Sequence, residues 1–298
     1  MINILMSTYN GERYLVEQLD SIFAQTCQDF VLYVRDDGSK DQTVSILKEY
    51  RSGLKDPDRL QILEGQNLGF CGSFFELLKL SSEGDYWAFS DQDDVWYPEK
   101  LKHALAWFET QKDDVPALYH SGMIFADENL KELRKYELKG YDFCFQKSIT
   151  SSVFYGFSMM INKSLRREFL KCNPKNVFYH DWFMGMIVTA FGTWHFSDQV
   201  DAAHRVHGEN TSAVSLASKL PLLKKLLTGD LYYERQAIEF KRVFGARLQE
   251  KDRRVLELFD LRSHRLRKAV VKVLFPRRWN PRPLEECAIR FLMLIGRV

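Results

Sequence analysis

The chain has 298 residues, 45% hydrophobic and 28% charged, which are globular values and exclude a disordered or collagen-like chain. That length accommodates one large domain with an appendage or two domains of ordinary size. Lys and Arg number 42 against 40 Asp and Glu, but from Lys251 to Val298 there are 13 basic residues against 5 acidic ones, so the C-terminal end is a basic block.

The first 90 residues alternate between strand and helix patterns. INILM (2–6) reads as a buried strand. In the stretch that follows, Tyr14, Leu15, Gln18, Leu19 and Ile22 fall at helical spacing, and FVLYVRDD (30–37) is rich in aromatic and β-branched residues, as strands are. The rhythm then repeats: a helix over DQTVSILKEY capped by Asp41, a short strand LQILE, a helix GSFFELLKLSS and a fourth strand DYWAFSD. Strands separated by helices predict a parallel sheet, because parallel neighbours need crossover connections.

Beyond it, the pattern predicts a helix over 100–112, a strand in PALYHSGMIFADEN, and a strand leading into a helix in SSVFYGFSMMINKSLRREFL. An apolar helix is expected to start at His180 and Asp181, and TWHFSDQVDAAHRVHGEN reads as a pair of strands ending in histidines. From about Ala213 the chain reads almost entirely as helix, with breaks near Gly229, near Ser263 and at FPRRWNPRP, and the boundary is placed near residue 212.

Five scattered cysteines with no C-x-x-C pair predict reduced thiols rather than a zinc or dithiol site. The N-terminal apolar run of five residues is too short for a signal peptide, and no stretch approaches the roughly 20 apolar residues of a membrane span. A cytoplasmic protein is expected.

In open α/β sheets, ligands collect outside the carboxyl ends of the strands. Three polar loops are expected on that edge: STYNGE (7–12), RDDGSKDQT (35–43) and SDQDD (90–94). None contains G-x-G-x-x-G or G-x-x-x-x-G-K-[ST], which counts against a dinucleotide oxidoreductase or a P-loop ATPase. Asp36 and Asp37 end the second strand, where a carboxylate can accept from a base or a ribose, although one of the pair can equally cap the next helix. Asp91, Asp93 and Asp94 give a density of carboxylates that suits a hard divalent cation, Mg²⁺ or Mn²⁺, holding a diphosphate. Asp94 has no assigned role. Asp181 has two readings, helix N-cap and general base.

Taken in order, STYNGERYL, RDDGSKDQT, NLGFCGSF, SDQDDVWYPEKL, YGFSMMINKSL, HDWF and HRVHGEN resemble glycosyltransferase family 2, enzymes of the GT-A fold that use nucleotide-diphosphate sugars. The resemblance covers about residues 2–212, and SDQDDVW followed by P-x-K-L is most similar to the bacterial branch that includes rhamnosyltransferases of cell-wall and capsular polysaccharide assembly. It implies an α/β, Rossmann-like, mainly parallel sheet flanked by helices over 1–212, and a C-terminal helical, basic region over 213–298.

The resemblance also implies roles for individual residues. Thr8, Tyr9, Asn10, Glu12, Asp36, Asp37, Asn67, Gly69, Asp91 and Gln92 would line the nucleotide-sugar site, and Asp93 with His207 would hold Mn²⁺ or Mg²⁺. Asp181 matches the catalytic base, and Gly156 and His180 would contact acceptor or sugar; Trp96, Trp182 and Trp194 have two readings, stacking on a sugar and packing as aromatic core. Two positions depart from the family pattern: His180 stands where Glu is commoner, and His204 where an aromatic is more usual.

The implied reaction is inverting transfer of a hexosyl or deoxyhexosyl unit to a growing cell-surface glycan, lipid-linked or protein-linked. dTDP-rhamnose is the favoured donor, with UDP-glucose and UDP-galactose as alternatives. Two other readings compete: a metal-dependent nucleotidyltransferase, and a non-catalytic glycan-binding protein on the same fold. The basic C-terminal helices suit either an anionic membrane surface, at the inner face of the cell membrane, or a packed subdomain or homo-oligomer interface. No nucleic-acid fold accompanies them.

Overall fold

A computed structural model describes residues 1–138, 142–208, 232–261, 265–280 and 283–298. The first strand, β1 (Ile2–Thr8), lies inside the sheet with a parallel neighbour on each side, β2 (Phe30–Asp36) and β4 (Tyr86–Ser90). β3 (Leu60–Glu64) extends the parallel part beyond β2. Beyond β4 the sheet continues through β8 (Met159–Asn162), antiparallel to both β4 and β6 (Ala117–Ala126). The strand order is β3-β2-β1-β4-β8-β6-β9-β5, where β9 is Thr193–Arg205 and β5 is Val95–Trp96, with β7 (Glu132–Lys135) paired to β6.

Period-two alternation in β1 explains why both faces are covered. Ile4 and Met6 point into one core with Leu15, Leu19 and Ile22 of α1 (Leu15–Phe23), Leu47 of α2 (Thr43–Gly53), and Leu101 and Ala104 of α4 (Lys100–Phe108). Leu5, between them, points into the opposite core with Phe74 and Leu78 of α3 (Gly69–Leu80), Leu165 of α6 (Lys163–Phe169) and Phe183 of α7 (His180–Phe191). A strand buried on both faces reads as a near-continuous apolar run, as INILM does but for Asn3, which is buried and donates to the Ser82 carbonyl. The short helix α5 (Phe145–Ser148) also joins the second core.

That second core continues into the C-terminal helices α8 (Tyr232–Phe244), α9 (Glu250–Glu257), α10 (Arg265–Val273) and α11 (Pro283–Leu294). Phe240 stacks on Phe191 and packs at a tilt on Phe145 and Phe183, and Tyr232 and Tyr233 lie against Trp182. The expected boundary at 212 and the expected break at Gly229 lie outside the described residues.

The structure corrects the reading of 193–210 as two strands. One 13-residue strand, β9, runs parallel to β6, and its polar SDQ segment is a bulge opposite Gly122 rather than a turn. A Cβ at Gly122 would sit 2.3 Å from the Gln199 carbonyl oxygen, so only glycine admits so close an approach. The five cysteines are unpaired, and among the described residues no helix is long and apolar enough to cross a membrane.

Candidate active site

The three polar loops meet at the carboxyl edge of the parallel strands. The Tyr9 backbone N–H donates to Gln92 Oε1 at 2.8 Å and Gln92 Nε2 returns a bond to the Tyr9 carbonyl at 3.1 Å, tying loop 7–12 to the aspartate loop. Asn10 N–H donates to Ser39 Oγ at 2.9 Å and Asn10 Oδ1 accepts from Lys40 N–H at 2.9 Å. Glu12 accepts from Gln42 N–H at 2.8 Å and donates its own N–H to Asp41 at 3.1 Å.

Asp36 and Asp37 are buried and bonded internally. Asp36 accepts from Thr8 Oγ1 at 3.1 Å, from the N–H groups of Gly38 and Ser39 at 3.1 and 2.8 Å, and from the Ser39 hydroxyl. Asp37 pairs with Arg35 and accepts from the N–H groups of Leu68 and Gly69 at 2.7 and 2.9 Å. Asn67 Oδ1 shares the Gly69 N–H at 3.1 Å. A carboxylate offers about four acceptor sites. Contact between Asp36 and a nucleotide therefore has to replace an existing bond, which qualifies the role expected of it. The two carboxylates tie together the loops at this edge of the sheet.

In the SDQDD segment the carboxylates diverge in function. Asp93 Oδ2 lies 2.7 Å from His207 Nε2. Asp94 Oδ1 lies 2.9 Å from His204 Nδ1 and accepts the Arg205 backbone N–H at 3.0 Å, so the residue without an assigned role latches the end of β9 to the loop after β4. Burial lowers the affinity of His204 for a proton, but Asp94 chiefly, with Asp91 and Asp93, overcomes it and lifts the imidazole to about 9. Asp91 is held well above the ordinary carboxylate range by burial, then by Asp94 and Asp93, with a contribution from Asp181. Asp93 is raised too, by burial and by Asp94. Crowded carboxylates that resist ionisation mark a place that favours added positive charge.

Asp181 sits in the first turn of α7, and its charge reaches Asp91. The Trp182 N–H donates to its Oδ1 at 2.6 Å. Burial pushes Asp181 up to about 7, against the backbone donors of Trp182 and Gly156. Gly156 belongs at this point because a Cβ there would come within 2.8 Å of His180 Nε2.

A family model described as "Glycosyl transferase family 2" matches residues 3–170. The chain belongs to glycosyl transferase family 2. It is 30% identical over 247 residues to the dTDP-rhamnosyl transferase RfbG of Shigella flexneri, covering 78% of this chain and 81% of that one. An uncharacterized glycosyltransferase of a Nostoc species is 30% identical over 230 residues, covering 73% and 69%.

Among solved structures, S. aureus TarS 1–349 superposes with a TM-score of 0.59 at 18% identity over 100% of this chain and 80% of that one. Its complex with UDP-GlcNAc gives 0.58 at 18% identity, covering 99% and 89%. The mannosyltransferase PcManGT of Pyrobaculum calidifontis, in complex with GDP-Man and Mn²⁺, gives 0.52 at 14% identity, covering 99% and 85%. The sheet and its helices are thus the GT-A fold, and the protein is a glycosyltransferase. The nucleotidyltransferase and glycan-binding readings are set aside.

Three residues placed at possible acceptor or sugar contacts lie in the glycosyltransferase's core, which for Trp96 and Trp182 is the other of their two readings. His180 is buried among Phe74, Phe89 and Phe70, with ring centroids 4.4, 5.1 and 6.5 Å away, and neither ring nitrogen has a hydrogen-bond partner. Burial drops its pKa to about 3, so it is a neutral packing residue that replaces the commoner Glu by filling an aromatic pocket. Trp182 is buried against α8 and donates its indole N–H to the Ser148 carbonyl. Trp96 is buried beneath Lys100, whose Nζ lies 5.0 Å above the ring.

Two buried cations escaped the sequence reading. Arg205, 2% exposed, donates to the Asp93 carbonyl at 2.9 Å, to the Glu128 carbonyl and to Glu17, and lies 4.4 Å above the Tyr14 ring, which in turn packs on His207. Lys100 bonds Ser121, and burial lowers it to about 7 against the pull of Asp201 and Asp94. Its place was signalled, since Lys100, Ala104 and Phe108 form one i, i+4, i+8 stripe on the buried face of α4.

Proposed function

We propose that this enzyme transfers a hexosyl or deoxyhexosyl unit, from dTDP-rhamnose in preference to UDP-glucose or UDP-galactose, to a hydroxyl of a growing cell-surface glycan, with inversion. The observation that carries the reading is a carboxyl poised near neutrality, Asp181, in electrostatic contact with the acidic loop after β4. Similarity to a dTDP-rhamnosyl transferase supports the donor. The acceptor is a polysaccharide precursor or a glycoprotein glycan, and the enzyme is cytoplasmic. We infer that residues 1–212 form the catalytic unit and 213–298 a contact region.

The nucleotide would lie over Thr8–Glu12, Asp36–Asp37, Asn67–Gly69 and Asp91–Gln92. Asp93 and His207 would hold a divalent cation, Mn²⁺ or Mg²⁺; among the described residues no three His, Cys, Asp or Glu converge as a closed ligand set. Two protein ligands are in keeping with a hard cation that keeps positions for phosphate oxygens and water. When bound, the cation offsets negative charge on the leaving diphosphate. The acceptor oxygen attacks the anomeric carbon opposite the diphosphate, the sugar–phosphate bond breaks with its electron pair moving to phosphate, and the hydroxyl proton passes to Asp181. One base and one in-line attack give inversion. A hydrolase would need a second flanking carboxyl group as acid.

Metal binding displaces protons from carboxyls held above their usual range. The thermal shift caused by saturating Mn²⁺ is therefore expected to grow as pH rises from about 5 to 7, and to vanish in Asp93→Ala; an equal shift in that variant would remove Asp93 from the metal site. A panel of nucleotide sugars with Mn²⁺ present tests the donor. A ligand at a hundredfold excess over Kd stabilises by about 2.7 kcal/mol, and dTDP-rhamnose is expected to give the largest rise in Tm and to be turned over. A larger rise and faster turnover with a UDP-sugar would overturn the donor assignment.

A further inference from the structure

The helices α10 and α11 pack on each other at the C-terminal end, and on each the described side chains include both buried and exposed positions. Ala269 and Lys272 of α10 and Ile289, Leu292 and Met293 of α11 face inward with Trp279. The arrangement is held by its own bonds: Trp279 and Asn280 donate their N–H groups to Glu286 at 2.9 and 2.8 Å, Arg290 donates to Glu286 and to the Phe275 carbonyl, and Arg265 donates to the Gly296 carbonyl.

The outward sides are apolar. Leu266 is 79% exposed and Leu274 74%, and with Val270 they form an i, i+4, i+8 stripe. Phe291, Leu294 and Ile295 do the same at i, i+3, i+4, at 56%, 59% and 42%. With Val271, these make seven of the fourteen exposed large hydrophobic residues described in the whole chain, gathered on two neighbouring helices. Apolar side chains gathered in this way mark an interaction site, whereas scattered ones do not.

Charge identifies the occupant. Residues 265–298 hold nine Lys or Arg against Glu285 and Glu286. Arg265, Arg267, Arg277 and Arg278 are exposed, whereas Glu286 is buried in the bonds just described and Glu285 is half-buried. A second copy meeting this face about a two-fold axis would set arginines against arginines with no exposed carboxylate from the same region to pair them. An anionic bilayer supplies both the negative headgroups and the apolar interior that such a face needs.

We infer that the α10–α11 pair is a membrane-surface docking face, with Leu266, Leu274, Phe291 and Leu294 at the acyl boundary and Arg267, Arg277 and Arg278 at the headgroups. The inference does not depend on the sugar transferred. It predicts co-sedimentation of the full chain with vesicles of phosphatidylcholine containing about 30% phosphatidylglycerol, at least tenfold weaker with phosphatidylcholine alone, and loss of binding at about 1 M salt. Arg267→Gln, Arg277→Gln and Arg278→Gln should each weaken partitioning about fivefold.

The triple variant Leu266→Ser, Leu274→Ser, Leu294→Ser should abolish binding while keeping the Tm and its rise with nucleotide sugar. Equal binding to both vesicle types, or to neither, would overturn the inference. So would a dimer by light scattering that the triple variant dissociates, since the face would then cover a second copy.

Discussion

Asp181→Asn is expected to lower sugar transfer by about two to four orders of magnitude, the usual contribution of a general base, while leaving nucleotide-sugar binding intact. The substitution keeps the side chain's size and an oxygen to accept the Trp182 N–H, so lost packing cannot account for the loss. The pH profile supplies a second readout. A base must be ionised, and burial holds Asp181 at about 7, so the rate of the unmodified enzyme should fall roughly tenfold per pH unit below that point. That limb should disappear from the residual rate of Asp181→Asn. A variant with near-normal transfer and the same acid limb would remove Asp181 from the chemistry.

Asp94→Ala carries the largest expected effect on stability. Asp94 is fully buried and holds both His204 and the Arg205 backbone N–H through Oδ1, so truncation takes this charged acceptor away from a buried imidazolium and a buried donor. Breaking a buried pair in this way costs about 3–5 kcal/mol, on the order of 10 °C in Tm for a chain of this size. The sign of the pH dependence follows from His204. Its folded-state pKa of about 9 lies above the usual 6.5, so the pair's contribution is complete below pH 6.5 and is lost as pH rises through 9. Urea titrations at several pH values should find this slope in the unmodified protein and its absence in Asp94→Ala. Equal stability of the two proteins at pH 6 would show that the latch does not hold β9.

The parallel half of the sheet was legible because β1 and β2 announce themselves by continuous apolar runs, and the loops that follow them are too polar for any other edge. The carboxylate cluster of SDQDD was placed on the same edge for the same reason, since the segment directly follows a strand. What failed was whatever depends on contacts between distant segments. His180 reads as a polar helix start, yet Phe74 from α3 and Phe89 from β4 close over it. Trp182 reads equally as a sugar platform or as aromatic core until α8, which begins 50 positions later, covers it. The donors that occupy Asp36 and Asp37, brought from β1, β2 and the start of α3, were equally out of reach of a local reading. Arg205 carried no local signal, because its partners Glu17, Asp93 and Glu128 come from three separate segments.

The anomeric configuration of the product tests the central claim most directly. Proton NMR of the glycoside product should give the configuration opposite to that of the donor, as a single base and an in-line attack require. A product that retains the donor's configuration would contradict the account, because retention calls for a second displacement for which Asp181 alone provides no nucleophile.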